Sequence, residues 1–174
     1  MKELVIIDGY NYLFNVYDNS RLSKNELEEI REKFIEELAE YKSITGSDIV
    51  VVFDSYKFSG SIRNTKKYKG VEIVFSGSKT TADHIIEEMS YSKEGYDKKV
   101  IVTSDGTAQT VVFKENINRK SSREFFIELK KIKSDLRDKI RKINRDNRIS
   151  GFPSLEKRLG KDQFNKISKL KNKH

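Results

Sequence analysis

The chain has 174 residues, 36% hydrophobic and 36% charged, with a net charge of +8. That length fits one domain with a short extension and allows a real hydrophobic core, and the composition is that of a globular chain with a charged surface, not a disordered one. It has no cysteine, and its two histidines are His84 and His174, so disulfides, thiolate nucleophiles, iron–sulfur clusters and multi-histidine metal sites are excluded and acid chemistry falls to Asp and Glu.

Leu4-Val5-Ile6-Ile7 is a fully apolar run ending at Asp8-Gly9, the pattern of a strand buried on both faces of a parallel sheet. With Glu3 and Asp8 at its edges it is no secretory signal. The longest apolar runs are far short of the roughly 20 residues a membrane helix needs. The expected location is therefore the cytoplasm, with no membrane partner. A helix is expected from about Lys24 to Thr45, opened by a Ser23/Glu26 capping box and closed by Gly46. Leu27, Ile30, Phe34, Leu38 and Tyr41 make its apolar stripe. Ile49–Phe53 is a second buried strand, ending at Asp54.

Residues 55–70 are polar and basic and read as a surface loop. Val71–Phe75 is a third strand, with Glu72 interrupting its pattern. Thr80 or Thr81 caps a helix containing Ala82, Ile85, Ile86 and Met89. Val100–Thr103 is a fourth strand, followed by Ser104-Asp105-Gly106 and a short helical stretch near residues 108–113. Ser121 and Glu124 form another capping box, opening a long helix to about Asn147. Phe125, Leu129, Ile132, Leu136, Ile140 and Ile143 lie on one face of it and are expected to pack. Gly151-Phe152-Pro153 breaks the chain before a short basic tail helix from Ser154. This divides the sequence into a domain over 1–150 and a basic tail over 151–174.

Strands alternating with helices imply a mostly parallel sheet covered by helices on both faces. In such folds the site lies beyond the carboxyl ends of the strands. Asp8 ends the first expected strand, Asp54 the second, Asp105 follows the fourth, and Asp83 falls in the first turn of the helix after the third. Each alone also suits a turn former or a helix cap. Together they put four acids on one edge of one sheet. Crowded carboxylates need raised pKa values or bound cations, and hard oxygen donors suit Mg²⁺ or Mn²⁺. Such ions can activate water against a phosphodiester.

The charge is unevenly spread. Residues 1–113 hold 15 Lys/Arg and 19 Asp/Glu, whereas residues 114–174 hold 20 and 8. An acidic front and a basic back suit metal ions at one place and a polyanion at another. Arg119, Lys120 and Arg123, around the start of the long helix, are candidate RNA phosphate contacts. Arg21 and the loop residues Arg63, Lys66, Lys67 and Lys69 are similar. All of them also suit an ordinary solvated surface. Tyr10, Tyr12 and Phe14 offer base-stacking platforms or core. His84, without a histidine partner, reads as helix surface.

Asp8-Gly9-Tyr10-Asn11 after an apolar strand resembles the opening motif of NYN domains, a branch of the PIN-like nuclease superfamily. Val52-Phe53-Asp54, Thr81-Ala82-Asp83 and Thr103-Ser104-Asp105 follow in the family's order. Along nearly its whole length, including Arg119-Lys120-Ser121, the chain resembles the bacterial YacP-type NYN proteins. The resemblance implies a three-layer α/β/α sandwich with a mostly parallel central sheet. It also implies Mg²⁺- or Mn²⁺-dependent endoribonuclease activity and association with ribosomes and translated messenger RNA (mRNA). On the same ground Asp8, Asp83 and Asp105 would be metal ligands, and Asp54 a ligand or a supporting acid. Asn11 would position a water, the backbone or a phosphate near Asp8. Thr103 and Ser104 would shape the loop presenting Asp105, with Ser104 beside the RNA. Many PIN domains carry another acid where this chain has Thr107, which leaves the number of ions at one or two. A non-catalytic RNA- or ribosome-binding module on the same fold is the alternative. A haloacid dehalogenase-type phosphatase also begins with a strand ending in Asp, but it needs a second Asp where Tyr10 stands.

Overall fold

Four apolar runs become the interior of a single sheet. The structure, a computed structural model, describes residues 1–17, 23–54, 62–78, 80–104 and 116–149. The elements in chain order are β1 (Glu3–Asp8), α1 (Gly9–Val16), α2 (Lys24–Thr45), β2 (Asp48–Phe53), β3 (Asn64–Tyr68), β4 (Val71–Phe75), α3 (Ala82–Ser92), β5 (Lys98–Val102), β6 (Ile117–Lys120) and α4 (Ser122–Ile149). Among the described residues six strands form one sheet in the order β3-β4-β2-β1-β5-β6. Every neighbouring pair is parallel except β3 with β4. The chain first builds outward from β1 through β2 and β4, then returns to place β5 on the other side of β1. The topological switch point therefore lies between β1 and β5.

Strand side chains alternate between two cores, as the pleat requires. Val5, Ile7, Val51, Phe53, Ile73 and Val102 face α1, α2 and the start of α4, meeting Tyr12, Phe34, Leu38, Phe125 and Leu129. Leu4, Ile6, Val52, Val74 and Ile101 face the other way, onto Ala82, Ile85, Ile86 and Met89 of α3. This is the expected three-layer α/β/α sandwich. Its central strands β1 and β2 carry unbroken apolar runs, Leu4–Ile7 and Ile49–Phe53, because both faces are covered.

The caps are where the sequence placed them. Ser23 and Glu26 form a reciprocal capping box, and Gly46 ends α2 with φ of 75°, a conformation that costs glycine least. The Thr81 hydroxyl accepts from the His84 amide at the start of α3. Ser121 and Glu124 bond reciprocally ahead of α4. Three elements depart from the sequence reading. Residues 64–68, read as loop, form β3, an edge strand exposed along its whole length. It has no apolar face to betray it, and its Lys66 and Lys67 suit an edge that must not pair with another chain. Residues 117–120 form the short strand β6. Residues 9–16, assigned no element, form α1, a two-turn helix rich in aromatic residues with little helix preference of their own.

The apolar stripe of α4 packs only over its first three turns. Phe125 and Leu129 are buried and Ile132 is partly so, whereas Leu136, Ile140 and Ile143 are 39%, 48% and 58% exposed. The chain divides into two compact units, Met1–Lys133 and Ser134–His174. Asp105, Arg21, the stretch near 108–113 and the tail over 151–174 lie outside the described residues.

Candidate active site

Asp8 is the last residue of β1 and the N-cap of α1. Its Oδ1 accepts the Asn11 amide at 3.1 Å, and it is 9% exposed. The capping reading and the site reading therefore coexist in one side chain. The helix N-terminus that the carboxylate caps favours its negative charge. Gly9 follows because nothing larger fits: a Cβ there would stand 2.3 Å from Cε1 of Phe53.

Asp54, just past β2, is half-buried. The Ser76 hydroxyl donates to its Oδ1 at 2.9 Å, and the Ser76 amide donates to the Phe53 carbonyl at 2.9 Å. The ends of β2 and β4 are thus stitched together beneath the carboxylate. Asp83 is exposed in the first turn of α3. Asp8, Asp54 and Asp83 line one cleft of about 290 Å³ with Tyr10, Asn11, Phe14 and Ala82. Among the described residues three carboxylates and no Lys or Arg line it, a donor set that suits a hard cation. No group of three or more His, Cys, Asp or Glu among the described residues stands close enough to hold a metal ion. The acids share a cleft without closing on one point.

Asn11 ties the cleft to its neighbours. Its Oδ1 accepts from the Ser104 amide at 2.8 Å, the Ser122 hydroxyl at 3.1 Å and the Asn15 side-chain amide at 3.3 Å. A backbone N–H can only donate, so the atom facing Ser104 must be the oxygen, which fixes the amide's orientation. The Ser122 amide in turn donates to Ser104 Oγ at 3.1 Å. This network joins α1, the end of β5 and the start of α4 beside the segment that leads to Asp105.

Behind the cleft, Arg31 of α2 donates from Nη1 to the Tyr10 hydroxyl at 3.4 Å and pairs with Glu28 at 2.8 Å. Its guanidinium lies over the rings of Phe53 and Phe75, with 12% of the side chain exposed. Burial pushes the Tyr10 hydroxyl above the ordinary tyrosine pKa, and Arg31 pulls it part of the way back. Sequence reasoning missed Arg31, although a signal existed: it sits inside the stripe of Leu27, Ile30, Phe34 and Leu38, where a cation is out of place. Ser76 and Ser122 carried no such signal.

The basic candidates separate. Arg119 is exposed, and its Nε donates to the Thr103 carbonyl at 3.3 Å, close to Ser104. Arg123 is exposed on the first turn of α4. Lys120 is half-buried in an ion pair with Glu128, whose other oxygen accepts from the Tyr41 hydroxyl at 2.8 Å. Arg63 pairs with Glu88 at 3.0 Å and Lys69 with Glu36 at 2.9 Å. Tyr10 and Tyr12 are core, at 6% and 0% exposure, while Phe14 is 41% exposed. His84 is on the helix surface, as expected.

A larger concavity, about 650 Å³, lies along α2 and the β3–β4 hairpin, bordered by Glu29, Lys33, Ile35, Lys66, Tyr68 and Ile73 among others. Its charges are of mixed sign and it shares no lining residue with the acid cleft, so size does not make it the chemical site. The acid cleft lies at the carboxyl edge of the sheet, beside the switch point.

A parallel sheet between helical layers, with acids at the carboxyl ends of its strands, is the arrangement of the PIN-like nuclease fold. The model of the YacP-like NYN domain matches residues 5–172, and the chain belongs to that family. It is 32% identical over 142 residues to the uncharacterized protein YacP of Bacillus subtilis (strain 168), covering 81% of this chain and 83% of that one. Crystal structures of Rae1 (YacP) from Bacillus subtilis are similar. One, of a single-residue variant, has a TM-score of 0.69 at 30% identity over 82% of this chain and 84% of that one. The other has a TM-score of 0.67 at 28% identity, covering 98% and 95%. Among the described residues no helix is long and apolar enough to cross a membrane.

Proposed function

We propose that this protein is a divalent-metal-dependent endoribonuclease that hydrolyses phosphodiester bonds in RNA, with ribosome-engaged mRNA as its substrate and the cytoplasm as its location. The observation that carries the reading is the cleft at the carboxyl edge of the sheet, where Asp8, Asp54 and Asp83 come together. Membership of a family of nuclease-type domains supports it.

Asp8 and Asp83 would hold the ion with Asp105, and Asp54, anchored by Ser76, would serve as a further ligand or as an acid supporting the others. Bound there, one or two Mg²⁺ or Mn²⁺ ions would supply an activated water and neutralise charge on the phosphodiester. Asn11, with its oxygen occupied by three donors, has only its NH₂ group to offer, which suits a phosphate oxygen or a water. Arg119, Arg123, Ser104 and Arg21 would meet the RNA backbone. Lys120 would act through Glu128, not on phosphate. The test is metal-dependent cutting of a defined RNA by wild type and Asp83→Asn. Cutting by wild type alone supports the reading, and equal cutting by both refutes it.

One observation favours the second reading, a non-catalytic RNA- or ribosome-binding module: the described acids do not close into a three-ligand group. That module would bind RNA with the aspartates neutralised and never cut it.

A further inference from the structure

We infer that Phe14 is a nucleobase-stacking platform at the mouth of the acid cleft, selecting an unpaired base next to the phosphate to be cut. The inference rests on the nuclease reading for the identity of its ligand, and on the cleft's own geometry for its place.

Phe14 stands out on α1. Its neighbours Tyr10, Tyr12 and Leu13 are 6%, 0% and 0% exposed, yet Phe14 is 41% exposed and lines the cleft with Asp8, Asp54 and Asp83. An isolated exposed apolar side chain is ordinary on a protein surface. This one belongs to a braced ladder of rings. It stacks on Tyr10 with centroids 5.8 Å apart and planes 17° from parallel. Tyr10 meets Phe53 edge-on at 5.1 Å, and Phe53 stacks on Phe75 at 5.7 Å. Arg31 locks the inner members through the Tyr10 hydroxyl and its position over both phenylalanine rings. Phe14 therefore rests on a ring that is itself held in place.

The cleft's acids make such an element useful. Asp8, Asp54 and Asp83 repel a nucleotide's phosphate in the absence of a bound cation. A flat ring supplies attraction that is indifferent to charge and tolerant of base identity. Only an unpaired base can offer its face, because in a duplex both faces are already stacked. Phe14 thus favours single-stranded over duplex RNA.

The experiment uses a single-stranded oligoribonucleotide with one 2-aminopurine, moved along the sequence, and the full chain carrying Asp8→Asn so that the RNA stays whole. Stacking quenches 2-aminopurine fluorescence. The expected result is quenching at one position, and its loss with roughly tenfold or more weaker binding in Phe14→Leu, with both restored in Phe14→Trp. Quenching and affinity unchanged in Phe14→Leu, or no quenching at any position, overturns the platform. The nuclease reading fails separately. If protein with Asp8 intact never cuts RNA while quenching still depends on Phe14, the platform stands as part of a binding module.

Discussion

The side-chain oxygen of Asn11 accepts the backbone amide of Ser104 at 2.8 Å, across 93 positions of sequence. That bond fastens the first helix to the end of β5, and Ser122 completes it from α4. Asn11→Asp keeps the acceptor and deletes the NH₂ donor. The protein should fold, by circular dichroism, with cleavage reduced tenfold or more. Asn11→Leu deletes both and should cost about 1–3 kcal/mol in denaturant melts by leaving buried donors unpaired. Equal cleavage by Asn11→Asp and wild type would remove Asn11 from the reaction.

Gly9→Ala should destabilise the fold by about 1–3 kcal/mol, the usual cost of overpacking. The added methyl would meet the Phe53 ring first, and that ring is fully buried and packed against Tyr10 and Phe75. Chemical denaturation measures it, and an unchanged midpoint would show that the ring moves freely.

Alkali should unfold the protein through its tyrosines. Burial pushes the Tyr12 and Tyr41 hydroxyls far above the ordinary value of 10.0, aided for Tyr41 by its bond to Glu128. Among the described residues the Tyr12 hydroxyl has no hydrogen-bond partner. Because their folded-state pKa values are raised, the stability they contribute is fully present below pH 10 or so and is lost as pH climbs beyond it. A spectrophotometric titration should show these two hydroxyls ionising only as the protein unfolds.

Much of this was legible in the sequence because the physics is local. Apolar runs ending in Asp marked β1 and β2, and the Ser23/Glu26 and Ser121/Glu124 boxes marked the helix starts. What escaped depends on contacts made only in the folded chain. β3 is a strand through its pairing with β4 alone, and Arg31 finds its aromatic partners only after α2 docks on the sheet. Of the four acids read onto one edge, Asp8, Asp54 and Asp83 line one cleft, and Asp105 lies outside the described residues. That Asp8 also caps α1, and that Ser76 holds Asp54, required tertiary structure.

The basic residues should divide by partner. Arg119→Ala and Arg123→Ala should weaken RNA binding across sequences and lower the salt dependence by about one unit each, the mark of a phosphate contact. Lys120→Ala should instead lower stability, because it leaves Glu128 half-buried with only Tyr41 to answer it. Binding titrations over a salt series, with thermal melts alongside, separate the two outcomes.

The most direct measurement compares wild type with Asp8→Asn for Mg²⁺- and Mn²⁺-dependent cutting of naked RNA and of RNA engaged by translating ribosomes. Asparagine caps a helix about as well as aspartate, so the variant should fold, and circular dichroism checks that it does. The account predicts metal-dependent cuts by the wild type alone, strongest on ribosome-engaged RNA. Equal cutting by both proteins, or none by either on both substrates, would contradict it.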